Sequence, residues 1–152
     1  MMSTNSSLSD RPELIVSLQS EVIDESHALL LRGNENDWQK ETSRALYTHF
    51  EVYIFADKYE ITPLKGLALR KFQVGLKRLA SKPRIAVMYA ACYIEKYYRS
   101  NTRSKNDGMK RLLVSFSFRH YRKFMTYPEF RRVIKDNGEF AHDFIEAIMG
   151  LH

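Results

Sequence analysis

The stretch from His49 to Phe72 constrains the fold more than any other part of the chain, because its punctuation allows only a helix, a tight turn and a second helix. Leu46, Phe50, Tyr53, Ile54 and Asp57 fall at spacings of three and four, so the first four share one apolar helical face. Thr42 or Ser43 suits the N-cap, where a hydroxyl accepts a bond from an orphan N–H of the first turn. The helix is expected to stop near Glu60. Thr62 then caps the next helix, and Pro63 takes its first position, where a missing N–H costs nothing. Leu64, Leu67, Ala68, Phe72, Leu76 and Leu79 carry the spacing on, while Lys65, Arg70, Lys71, Lys77 and Arg78 fall elsewhere on the surface. Gly66 and Gly75 interrupt this helix, each at about 1 kcal/mol relative to Ala. A close approach by a neighbouring helix would account for them.

The rest of the chain reads as further helices. Ser81-Lys82-Pro83 breaks the second helix and starts a third, striped by Ile85, Met88, Tyr89, Cys92 and Tyr93 and ending near Tyr98. Residues 99–108 form a basic loop, and within it Asp107 offers an N-cap to a fourth helix carrying Met109, Leu112, Leu113, Phe116, Tyr121 and Phe124. Tyr127-Pro128 opens a short fifth helix with Phe130, Val133 and Ile134, closed at Asn137-Gly138 with Gly138 as a left-handed cap. Phe140, Phe144, Ile145, Ile148 and Met149 give the core face of the last helix. Ahead of the hairpin, residues 1–12 are Ser- and Asn-rich and expected to be disordered. Residues 13–37 are an uncertain segment and linker, with a helix over 13–31, and Trp38 anchors the linker. The expectation is an all-α bundle of five to six helices over residues 38–151.

His49, Val52, Tyr53, Ala56, Asp57, Lys58, Tyr59, Ile61, Leu64, Leu67 and Ala68 together carry a resemblance. In that order they resemble the last helical hairpin of BTB/POZ domains of fungal type. The step Gly138-Glu139-Phe140-Ala141 is similar to the helical extension that follows that hairpin in such proteins. The resemblance covers Leu46 to Leu79 well and the remainder to Leu151 loosely. Residues 1–45 show none of the family's opening strand pair, its Ala-His-Lys-like step or its Ser-x-x-Phe. What the resemblance implies is a non-catalytic adaptor that binds protein partners, itself among them. Dimerisation through the family's usual surface, and docking on a cullin-type ubiquitin-ligase scaffold, both rest on the half that residues 1–45 do not match. The candidate partner-binding residues are Tyr53, Phe55, Tyr59, Tyr97 and Tyr98, aromatics standing off the main stripes.

Charge is unevenly placed. Residues 1–61 hold 5 basic and 11 acidic side chains, residues 62–98 hold 8 and 1, residues 99–135 hold 11 and 2, and residues 136–152 hold none and 4. A basic middle between acidic ends suits self-complementarity, within one chain or between two copies. The alternative is a nucleic-acid partner on a basic, aromatic-bearing helix, with Lys105, Lys110, Arg111, Arg119, Arg122 and Lys123 as the patch.

No residue pattern points to catalysis. Glycine loops for phosphate, a Gly-x-Ser-x-Gly and a Cys-x-x-Cys are all missing from the sequence. Cys92 stands alone among Ala90, Ala91 and Ile94 and reads as an inert buried thiol. His142 with Asp143, Glu139 and Glu146 reads as a solvated ion-paired face rather than a metal site. Neither a cofactor nor a metal is expected. No secretory signal is legible, and the longest apolar run, Ile85 to Ile94, is too short to span a bilayer. The expected location is intracellular, in cytoplasm or nucleus.

Overall fold

The computed structural model describes residues 37–99 and 107–150, and among them every regular element is a helix. The seven are α1 (Asp37–Lys58), α2 (Thr62–Leu79), α3 (Pro83–Arg99), α4 (Gly108–Arg119), α5 (Tyr121–Phe124), α6 (Pro128–Asp136) and α7 (Gly138–Ile148). The expectations for residues 1–36 and for Lys105 lie outside the described residues. No helix among those described is long and apolar enough to cross a membrane. The chain divides into two units, Met1–Phe72 and Gln73–His152, with the boundary inside α2.

In the first unit the turn is fixed by the end of α1. Glu60 adopts φ 56°, the left-handed region, which a side-chain-bearing residue enters at a cost of about 1–2 kcal/mol. That geometry lets the Ile61 N–H reach the Ala56 carbonyl at 2.9 Å and the Glu60 N–H reach the Asp57 carbonyl at 3.3 Å. These two bonds form a Schellman motif, which satisfies carbonyls that the helix end would otherwise orphan. Ile61 is at once the last residue of this motif and the first acceptor of α2, receiving the Lys65 N–H at 3.0 Å. The N-cap is therefore Ile61, one residue before the Thr62 that the sequence favours. Lys65 Nζ lies 2.7 Å from the Asp57 carboxylate and 5.4 Å from the Tyr53 ring centroid, which ties the two helices together beside the turn. Deeper in, the Phe50 and Phe72 rings meet at 5.8 Å. Leu46, Tyr47, Phe50, Tyr53, Ala56, Ala68 and Phe72 are all buried.

Two details of this unit differ from the sequence expectation. Thr42 and Ser43 are buried inside α1, which begins at Asp37. A Cβ placed on Gly66 would meet no atom of the described residues within 4 Å, so no helix among them accounts for that glycine.

The second unit is built around α3, which packs against α4, α5, α6 and α7. Its buried residues are Ala86, Val87, Tyr89, Ala90, Ala91, Tyr93, Ile94 and Tyr97. Burial thus extends round more of the helix than one stripe, and Ile85, Met88 and Cys92 sit half-buried at its edges. The small Ala86, Ala90 and Ala91 let neighbouring helices approach closely. Phe124, Phe130, Phe140 and Phe144 form a stack of rings with centroids 5.4–6.1 Å apart, mostly edge to face, the favoured geometry for benzene rings.

Asp107 stands at the N-cap of α4 with extended backbone, yet its side chain makes no cap bond. The carboxylate instead accepts the Tyr97 hydroxyl at 2.6 Å, inside the fold. His120, at φ −115° and ψ 15°, splits the expected fourth helix into α4 and α5. Its carbonyl restarts the ladder, accepting the N–H of both Lys123 and Phe124. Gly138 is not left-handed: the turn before it is made by Asn137 at φ −126° and ψ 87°, and α7 starts at Gly138 itself. On α7, Phe140, Phe144 and Ala147 are buried, whereas Ile145, Ile148 and Met149 face water.

Candidate functional site

The five aromatic candidates separate sharply once placed. Tyr53 and Tyr97 are sealed in the protein, at 0% and 2% exposure, so neither ring can be offered to a partner. Tyr53 belongs to the buried face of α1 with Leu46 and Phe50, and Tyr97 is covered because burial on α3 extends beyond one stripe. Tyr98 is half-buried and tied down. Its hydroxyl donates to Asp143 at 2.8 Å, its ring meets Phe140 edge-on at 5.5 Å, and Lys110 Nζ lies 5.8 Å over its face. Burial, and then the hydrogen bond to the Asp143 carboxylate, hold the Tyr98 phenol far above its ordinary titration range. Phe55 is half-buried and supports Tyr59, whose ring lies 4.7 Å away. Tyr59 alone of the five is openly exposed, at 57%.

Tyr59 has company that the sequence pattern assigned to the core stripe or the family motif. Ile61 and Leu67 are 38% and 41% exposed, Ile61 in the turn and Leu67 in the second turn of α2. The hairpin therefore carries large apolar side chains in water around the turn. Ile61 is exposed because the Schellman motif uses its N–H to close α1 and so fixes its side chain at the tip.

The cationic candidates also separate. Lys110 is not a surface cation: its side chain is 11% exposed, with Nζ 3.2 Å from Asp143 and 3.4 Å from Glu139. Two carboxylates on α7 neutralise it, and it cannot serve as a phosphate contact. Arg111, Arg119, Arg122 and Lys123 remain exposed. The last three line a cleft of about 410 Å³. Ala80, Ser81 and Pro83, from the α2–α3 turn, form one wall, and the stretch from Arg119 to Phe124 forms the other.

His142 Nδ1 lies 3.6 Å from Asp143 and 3.8 Å from Glu146, the one grouping of potential metal ligands among the described residues. The other oxygen of the Asp143 carboxylate is engaged by Lys110 and Tyr98.

Two imidazoles respond to their surroundings. Burial, and then the charge of Lys71, lower the pKa of His49 below 6.5; burial and Arg119 lower that of His120. The fold favours both neutral forms, so the unfolded chain takes up these protons first as pH falls. Stability is then full above pH 6.5 and declines as pH drops through the folded values. The urea midpoint is expected to be lower at about pH 5.5 than at about pH 7.5, with His49→Gln and His120→Gln together removing most of the difference.

The chain matches no family model, no curated protein and no solved structure.

Proposed function

We propose that the chain is a non-catalytic protein–protein interaction module related to the C-terminal helical part of fungal-type BTB/POZ proteins. Its docking element is the α1–α2 hairpin, and the partner we assign to it is a second copy of the same chain. The supporting observation is the exposure of Tyr59, Ile61 and Leu67 around the hairpin turn. Apolar surface of this kind is removed from water at about 25 cal/mol per Å², so three such side chains favour association.

Charge complementarity favours a second copy as the occupant. Residues 37–61 carry five acidic and three basic side chains, whereas residues 62–79 carry five basic and no acidic ones. Two hairpins related by a two-fold axis can set the acidic helix of each against the basic helix of the other, the reciprocal pairing of an isologous interface.

Co-purification of two differently tagged copies tests this. The pair is expected to survive low salt and to weaken as salt rises, since screening shortens the reach of surface charge. Ile61→Asp, which places a charge in the apolar contact, is expected to abolish co-purification without unfolding the hairpin. Recovery of the pair with both Tyr59→Ala and Ile61→Asp in place would rule the hairpin out as the docking element.

A further inference from the structure

We infer that the cleft between the α2–α3 turn and the α4–α5 junction binds single-stranded nucleic acid, with phosphates on Arg119, Arg122 and Lys123 and a base laid on Phe118. This inference is independent of the pairing proposed above.

Its first support is the state of the cations. Elsewhere in the described structure, basic side chains near carboxylates form ion pairs, as Lys65, Arg84, Arg99 and Lys110 do. Arg119, Arg122 and Lys123 are exposed, form no ion pair among the described residues, and line one wall of a single cleft. Among the described residues, no carboxylate lines that cleft. Three like charges so gathered raise the local potential and draw anions, a repulsion that a bound phosphate relieves.

The second support decides which anion. Phe118 is 41% exposed, and its ring is stacked on Tyr121 at 6.0 Å with only 12° between the planes. Tyr121 is itself part of the cleft wall and carries Arg122 5.9 Å from its ring centroid. Phe118 is thus a flat apolar ring, partly open to solvent and backed by a ring of the cleft wall. Every nucleobase has a matching face, and stacking of this kind holds single strands without regard to sequence. A duplex hides those faces, and a phosphorylated peptide would use the cations without needing the ring.

The probe is a fluorescein-labelled oligouridylate of about twelve nucleotides, titrated by anisotropy against the full chain at roughly 50 and 200 mM salt. Three phosphate contacts on a single strand predict a salt slope of about −2, so affinity falls about 20-fold between the two conditions. Arg119→Ala with Arg122→Ala is expected to remove most of that slope. Phe118→Ala, and Phe118→Leu as the variant that keeps apolar volume, are expected to weaken binding about tenfold at both salts and leave the slope intact. Arg132→Ala with Lys135→Ala, exposed on α6 and outside the cleft, is expected to leave affinity within about threefold of wild type.

Absence of binding at 50 mM salt would overturn the inference. So would equal losses from the α6 and cleft variants together with no effect of either Phe118 change, which would mean generic charge attraction. A phosphoserine peptide that displaces the oligonucleotide and binds the Phe118 variants undiminished would assign the cleft to a phosphoprotein instead.

Discussion

Replacing Phe130 by alanine is expected to lower the unfolding free energy of the 73–150 unit by about 3–5 kcal/mol, the largest effect of any single substitution considered. Phe130 is fully buried, and its ring lies 5.4 Å from Phe124, 6.1 Å from Phe140 and 5.6 Å from Phe144. It therefore joins α5, α6 and α7 at a single point. Truncation removes the transfer energy of a phenyl group and leaves a void among rings that are themselves held by the helices around them. Such a site collapses poorly, which places the cost high in the usual range. Urea denaturation followed by circular dichroism measures it, and Phe130→Leu is expected to recover more than half of the loss by refilling most of the volume. A loss under about 1 kcal/mol for Phe130→Ala would mean that the ring stack does not hold this unit together.

The second large effect is expected at Lys110. Its ammonium bridges Asp143 and Glu139 while covering the Tyr98 ring, and Asp143 also accepts the Tyr98 hydroxyl. Lys110→Met keeps the apolar stem but leaves Asp143, 18% exposed, beside Glu139 with no compensating cation. The expected cost is about 2–4 kcal/mol, a little below that of breaking a fully dry pair, because Glu139 remains in water. Asp143→Asn should also destabilise, and the double variant should cost less than the two single changes added together. A coupling energy of about 1–3 kcal/mol from that cycle supports the bridge. A coupling near zero would show Lys110 and Asp143 to be separately solvated, and Lys110 would then return to the surface cations.

The helices themselves were legible because local rules govern them. Apolar spacing of three and four marks every helix except for the division between α4 and α5, and Pro83 and Pro128 stand at the first positions of α3 and α6, with Pro63 at the second of α2. Local signals misled where a tertiary contact outbid them. Thr42 and Ser43 look like caps, but lie buried within α1. Asp107 stands in a capping position, but its carboxylate is bound to Tyr97. Left-handed backbone falls at Glu60 and at Gly150 rather than at Gly138, and no glycine or proline warns of the break at His120.

The sites were legible in part for the same reason. Arg119, Arg122 and Lys123 can be seen as a basic cluster in one segment, but their cleft needs the wall from Ala80 to Pro83, far away in sequence. Lys110 carries the same charge as its neighbours, and only α7 distinguishes it from them. Tyr97 looked available because an amphipathic pattern assumes one covered face, which does not hold for α3, whereas Tyr53 sits on the apolar face of α1 that the spacing itself marks for burial.

Self-docking through the hairpin is tested most directly by the molar mass of the chain in solution. Light scattering at low salt is expected to give twice the chain mass of 17.9 kDa, falling to the single-chain value for Ile61→Asp. A wild-type mass of 17.9 kDa that does not change with concentration would contradict it.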